Sequence, residues 1–251
     1  MARVYDFWLG GKDNFAADRA VADRVAAAYP DIRIAVRAQR AFLARAVHFL
    51  VTQAGIRQFL DIGTGLPSAN NTHQVAQAAA PQTRVVYVDN DPIVLNHARA
   101  LLSSSPEGAT AYIDADLRDT SAILTEAAAL LDFSQPVAVT LLAILHTIPD
   151  ADDPQAIVAQ VMEAVPPGSY LAVSHSGSDL FAQETRDSFR STINGSMQQQ
   201  YTPRSREQVM RFFAGLDLVP PGLVPVEEWR PEPDTDTAGV SAIYGAVARK
   251  R

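Results

Sequence analysis

From Gln58 onward, short apolar runs alternate with stretches whose apolar residues recur every three or four positions. The runs Gln58–Ile62, Arg84–Asp89, Thr110–Ile113, Pro136–Thr140 and Ser169–Ser174 predict strands. They are short and nearly all apolar, as strands buried on both faces should be. Between them, Asn70–Ala80, Pro92–Ser103, Thr120–Leu131 and Pro154–Val165 predict helices. Strand–helix alternation with short loops predicts an α/β fold with a parallel sheet covered on both sides.

Ahead of the first strand, Asp13–Tyr29 and Ile32–Gln53 predict two helices separated by Pro30. In the second, Ile34, Ala38, Phe42, Leu43, Ala46, Val47, Leu50 and Val51 recur at helical spacing, and Asp31 stands ready to cap it. Residues 1–55 therefore read as an N-terminal helical cap, and residues 56–251 as the sheet domain. After Ser174 the rhythm changes. The polar stretch at about 176–206 reads as a variable insertion, with helices fitting around Ser178–Ile193 and Ser205–Gly215. Leu216–Val219 and Ser241–Ala248 predict a last pair of strands, and the proline-rich connection between them suits an antiparallel return.

Composition narrows the function. Apolar residues make up 47% of the 251 positions, enough for a full core. The chain has no cysteine, which removes disulfides, thiolate metal sites and thiol nucleophiles. The formal charge of -7 disfavours a nucleic-acid partner. No apolar run approaches the ~20 residues of a membrane helix. The N-terminus lacks the apolar core of a signal peptide, so a cytoplasmic protein without a membrane partner is expected. The five histidines show no metal-ligand spacing, and no metal site is expected.

Three predicted strands end in acids. Asp61 runs into Gly63-Thr64-Gly65, a turn that lets a ligand approach the backbone closely. Asp89 ends the second strand, 26 residues after Gly63, and is followed by Asn90 and Asp91. A carboxylate there can accept both ribose hydroxyls. Asp91, just before Pro92, reads instead as a helix cap. Asp116 and Leu117 follow the third strand, where the acid can meet an adenine amino group and the Leu117 amide a ring nitrogen. A dinucleotide site continues to a third small residue, but here Pro67 stands in the turn and removes a donor a pyrophosphate would use. Three carboxylates disfavour phosphates and favour a cationic ligand with hydroxyls and an amine. S-adenosyl-L-methionine has these groups and no phosphate. Beyond the fourth strand, His146 is placed at the carboxyl edge of the sheet as a candidate general base. The plainer reading, a histidine that lines the pocket or bonds backbone, stands beside it.

Together these motifs resemble the class I S-adenosylmethionine-dependent methyltransferases. The opening run Ala2–Asp18, with Phe59–Gly65, Val85–Pro92, Asp116–Asp119, Leu142–Asp150 and Pro167–His175, resembles more narrowly a bacterial family called S-adenosyl methyltransferase, formerly a domain of unknown function. The likeness closes with Phe212–Pro231 and Ala242–Ala248. It implies a Rossmann-like seven-stranded sheet of order 3-2-1-4-5-7-6 with an antiparallel last strand. It also implies a Gly63–Gly65 loop beneath the methionine part, Asp89 on the ribose, and Asp116 with Leu117 on the adenine.

The opening run crowds Tyr5, Phe7, Trp8 and Phe15 beside Gly10-Gly11 and Asn14. Two readings stand: a lid in which Tyr5, Asn14 and Phe15 close over the cofactor, or a segment that packs the cap helices. The expected activity is in-line methyl transfer to a small-molecule acceptor. Thr140-Leu141-Leu142-Ala143 replaces the acid-proline-proline-aromatic signature of N-methyltransferases, which tilts the acceptor away from nucleobase or amide nitrogen. The alternatives are a non-catalytic S-adenosylmethionine sensor and a nicotinamide-dependent oxidoreductase.

Overall fold

The computed structural model describes residues 2–67, 70–94, 104–196, 200–232 and 241–251. Eight strands form one sheet: β1 (Gln58–Ile62), β2 (Arg84–Asp89), β3 (Ala109–Asp114), β4 (Ala138–Leu142), β5 (Tyr170–Ser176), β6 (Leu216–Leu218), β7 (Val224–Pro225) and β8 (Ile243–Lys250). Their order is β3-β2-β1-β4-β5-β8-β6, and β7 also pairs with β8. β1 to β5 are mutually parallel, while β8 runs antiparallel to β5, β6 and β7. The order is the expected one. The additional strand is a two-residue piece of the proline-rich connection, where Val224 and Pro225 lie beside Gly245 and Tyr244.

Helices cover both faces. On one side, α5 (Thr120–Ala127) and α6 (Pro154–Glu163) pack Ile123, Ile157 and Val161 on Val86, Val139 and Val173. Asp119 and Asp153 cap these helices by accepting the amides of Ala122 and Ala156. On the other side, α3 (Ile32–Thr52) and α4 (Thr72–Ala79) bury Phe42, Leu50 and Ala76 against Phe59, Val85 and Ala138. Trp229 closes this layer edge-on to Phe42, with ring centroids 5.4 Å apart. Burying such a side chain contributes about 1.5–3 kcal/mol.

The segment expected as a cap therefore divides. α3 shares the core beneath the sheet. The helices α1 (Ala2–Leu9) and α2 (Ala16–Ala28) instead join α7 (Gln183–Ser196), where Val4, Trp8, Val25 and Tyr29 pack on Phe189 and Ile193. The sequence pattern gave no helix over α1. Tertiary contacts hold it, with Trp8 Nε1 donating to the Ala22 carbonyl at 3.2 Å and Tyr5 OH to that of Val36 at 3.3 Å. α8 (Arg206–Met210) is shorter than the expected helix, because the chain tightens into a 3-10 turn at Arg211–Phe213. Most of the helix expected over Pro92–Ser103 lies outside the described residues. Among the described residues, no helix is long and apolar enough to cross a membrane.

Candidate functional site: a crevice at the carboxyl edge of the sheet

The crevice opens where β1 and β4, adjacent in the sheet, send their chains to opposite sides. This is where ligands bind in open α/β sheets. It is lined by Asp61, Gly63–Pro67, Asp89–Asp91 and Ala143, and α1 and α3 form its far wall. Its volume is about 150 Å³, and a second hollow of about 50 Å³ shares Gly63, Asp89, Asn90, Ile144 and Thr147 with it.

Gly63 and Gly65 have φ of 78° and 65°, in the left-handed region. At Gly63 a Cβ would fall 2.5 Å from Ile144 Cγ1, so the turn lies against the β4 loop with no room for a side chain. The amides of this turn are turned inward. Gly63 and Thr64 donate to the Val88 carbonyl, and Gly65 donates to Asp89 Oδ2 at 2.8 Å. Pro67 has no amide hydrogen. A pyrophosphate cradle needs such amides free, so the loop does not support the nicotinamide reading.

Asp89 also accepts the Asp91 amide at 3.0 Å. One backbone bond to each oxygen fixes the carboxylate plane, and each oxygen keeps acceptor capacity. Burial pushes its carboxyl above the ordinary range, while the amides of Gly65 and Asp91 pull the other way. Asp61 is held similarly by the hydroxyls of Thr72 and Thr140, at 2.6 and 2.7 Å. Burial raises its pKa, with those hydroxyls and the nearby Arg40 charge opposing the rise. Asp91 accepts the Ile93 amide, as a helix cap does. Tyr112 lies stacked on Tyr87, and its hydroxyl is buried on the crevice wall without a partner.

Asp116 and Leu117 line the second hollow. Asp116 is gripped by Arg118 through both oxygens, at 2.8 and 2.9 Å, and Asn90 donates to it at 3.1 Å. The Arg118 guanidinium holds this carboxyl below its ordinary range.

The opening run sits elsewhere than a complete lid requires. Tyr5 lines the crevice, together with Ala2, Asp6 and Leu9 on the same helix. Asn14 and Phe15, expected to close over the cofactor, do not line it. Asn14 donates to Asp6 Oδ2 and to the Gly11 carbonyl. Phe15 is 67% exposed and starts α2. Asp6 also takes the Asp13 amide, and a Cβ at Gly11 would fall 1.9 Å from Asp6 Oδ1. The glycine pair thus lets the loop wrap the Asp6 carboxylate.

His146 lies past β4, in a 3-10 turn at Leu145–Thr147. Its Nδ1 is buried without a partner, and it lines a separate chamber behind Tyr5, Gln39 and Ala143. Burial and the Arg204 charge lower its pKa to about 4, so the imidazole is neutral at neutral pH.

Arg204, which no sequence signal marked, holds this turn. It is 2% exposed and donates to the carbonyls of Leu145 and Ile148, to Asp150 Oδ1 and to His175 Nε2. Because a guanidinium only donates, His175 Nε2 accepts and its Nδ1 carries the proton given to the Ser176 carbonyl. Gln39, Arg40, Asp6 and Tyr112 were likewise not anticipated. Gln39 and Arg40 fall on a helix that reads only as packing, and they reach the crevice because α3 crosses it.

The sheet order is that of the Rossmann-like methyltransferases. The same fold appears in the N-methyltransferase NodS of Bradyrhizobium japonicum, solved with S-adenosyl-L-homocysteine: 12% identity, TM-score 0.51, 94% of this chain and 99% of that one. The family described as S-adenosyl methyltransferase matches residues 1–251, and the chain belongs to it. A DUF574 family protein of Streptomyces avermitilis is 43% identical, with TM-score 0.95 over 100% of this chain and 97% of its own. A putative methyltransferase of Thermobifida fusca is 38% identical, with TM-score 0.91 over 100% and 94%. No curated protein matches the chain. The cofactor is S-adenosylmethionine, and the buried acids, inward amides and unpartnered Tyr112 hydroxyl fit a phosphate-free cation with hydroxyls.

Proposed function

We propose that the protein transfers the methyl group of S-adenosylmethionine to a small-molecule acceptor by in-line displacement. The observation that carries this reading is the fixed Asp89 carboxylate, tied to Gly65 and Asp91 beside the amides of Gly63, Thr64 and Gly65, which are already bonded within the protein. When bound, the cofactor supplies an activated methyl on a sulfonium.

Asp89 takes the two ribose hydroxyls. Asn90, Asp116 and the Leu117 backbone border the adenine in the second hollow. Asp61 attracts the ammonium and sulfonium end, and Arg40, on the opposite wall, meets the carboxylate. Thr64 and the two glycines form the floor under the methionine part. Tyr5 covers the crevice from α1 and narrows the path for water. His146 stands beyond Ala143 as a neutral imidazole, able to take a proton released from the acceptor. Its low pKa does not prevent this, because an oxygen that is gaining a methyl becomes far more acidic than the free hydroxyl.

A non-catalytic sensor would need the crevice alone. The second chamber, which shares Tyr5, Gln39 and Ala143 with it, favours an enzyme. Calorimetric titration with S-adenosylhomocysteine, NAD and ADP tests the cofactor assignment. Binding of the first alone supports it, and preferential binding of NAD or ADP refutes it.

A further inference from the structure

Behind the crevice lies a chamber of about 90 Å³ between α1, α3 and α7. It shares the wall residues Tyr5, Gln39 and Ala143 with the crevice, so on the reading above it lies next to the reacting end of the cofactor. At the junction Ala143 has φ of 58°, held there by bonds from its amide to the Ser174 carbonyl and hydroxyl. Alanine here puts only a methyl group on the shared wall.

The walls say what the chamber admits. Among the described residues, no Asp, Glu, Lys or Arg lines it. Aromatic rings dominate: Tyr29, Phe181, Phe189 and Tyr201 meet edge to face or tilted, with centroids 5.0–5.6 Å apart. Trp8 and Tyr5 complete them from α1. An ionised ligand would lose its hydration here and find no charged side chain among the described wall residues, a cost of several kcal/mol or more. A flat apolar ring would instead find faces and edges to pack on.

Two unpartnered polar atoms are buried in residues of this wall. Gln39 is 3% exposed, and its Oε1 has no hydrogen-bond partner among the described residues. His146 Nδ1 is buried without one as well. Other hydroxyls of the wall are bonded within the protein: Ser176 and Tyr201 to each other, Tyr5 to the Val36 carbonyl and Ser241 to Glu227. An orphaned buried acceptor costs about 1–3 kcal/mol. Such a cost is recovered by a ligand that brings its own donor.

We propose that this chamber is the acceptor site and that the acceptor is an uncharged aromatic molecule bearing a hydroxyl, which donates to Gln39 Oε1 and faces His146. The proposal rests on the methyl-transfer reading. On transfer, the acceptor oxygen gains the methyl carbon as the carbon–sulfur bond breaks. The bonding pair stays on sulfur, leaving a neutral thioether. The hydroxyl proton passes to His146 and then to solvent, since this imidazole does not hold a proton at neutral pH.

The test is calorimetry on the full chain saturated with S-adenosylhomocysteine, using 2-naphthol as probe and 2-naphthoate as its charged counterpart. The expected result is binding of 2-naphthol at least about tenfold tighter than 2-naphthoate. Ala35 lies in the chamber wall at 1% exposure and does not touch the crevice, and Phe181 is half-buried at the rim. Ala35→Leu fills the chamber and Phe181→Ala removes one ring face. Each is expected to weaken 2-naphthol about tenfold while S-adenosylhomocysteine affinity stays within about twofold. Phe181→Ala keeps the test sound should the overpacked variant not fold. A chain that binds S-adenosylhomocysteine but not 2-naphthol, or that binds naphthoate equally well, overturns the chamber assignment alone. So does unchanged 2-naphthol affinity in both variants. A chain that binds no S-adenosylhomocysteine overturns the methyl-transfer reading itself.

Discussion

The amide of Gly65 donates to Asp89 Oδ2 at 2.8 Å, tying the turn after β1 to the acid that ends β2. One bond thus does two things. It orients the carboxylate, and it occupies an amide that a phosphate-binding loop would leave free. On the proposed reading, Asp89→Ala removes two charge-assisted hydrogen bonds to the ribose, each worth about 1.5 kcal/mol or more. S-adenosylhomocysteine affinity should fall about 100-fold. Circular dichroism should show an intact sheet. Calorimetry on the folded variant checks this.

Gly63 and Gly65 should differ in what they tolerate. Both have left-handed φ, so either alanine costs about 1–2 kcal/mol of backbone strain. Only at Gly63 does the new Cβ also strike Ile144, while at Gly65 it meets nothing within 4 Å. Gly63→Ala should therefore lower the melting temperature more than Gly65→Ala. Adding Ile144→Ala should recover part of the difference, because it relieves the clash and not the strain. Thermal unfolding of the three variants is the check.

Arg204 satisfies the turn that carries His146 and is itself fully enclosed. Arg204→Met leaves the Ile148 carbonyl and the His175 Nε2 without a donor, and the Leu145 carbonyl with only the Ile148 amide at 3.3 Å. A loss of about 3–5 kcal/mol is expected, the usual cost of removing one partner from a buried charged network. Asp150→Asn should cost much less, because Asp150 is exposed and its pairing is screened by solvent. Denaturant titration of both variants separates the two.

Acid should destabilise the fold before the carboxylates titrate. Burial lowers the pKa of His146 to about 4 and that of His175 well below 6.5. The unfolded chain takes up these protons near pH 6.5 and the folded chain does not. Stability is therefore full above about 6.5 and is lost as the pH falls toward about 4. Asp61 acts in the opposite sense at lower pH, since its folded carboxyl is raised above 3.8. The melting temperature, followed from pH 8 to 4.5, should fall, and His146→Asn should flatten the slope.

The sheet was legible because its strands are buried on both faces and read as unbroken apolar runs. β1 and β2 fall at their expected bounds. β4 lies two residues later than expected, because Pro136–Leu145 has no internal boundary in sequence. Its end is set instead by Ser174, which bonds the Ala143 amide from the neighbouring strand. The acids at strand ends were legible for a related reason: each is a charge that ends an apolar run. Gln39, Arg40 and Arg204 were not, since a polar residue on a helix or loop carries no pattern until the fold sets what it faces. The opening run was half legible. Its aromatics marked it as special, but which rings turn inward follows from α1, a helix held by its contacts with α2 and α3.

A crystal structure of the complex with S-adenosylhomocysteine would fix the placement of the cofactor. Both ribose hydroxyls are expected within hydrogen-bond distance of Asp89, the adenine beside Asn90 and Leu117, and the sulfur facing the wall formed by Tyr5 and Ala143. An adenosine seated away from Asp89, or a sulfur turned from that wall, would contradict the methyl-transfer site described above.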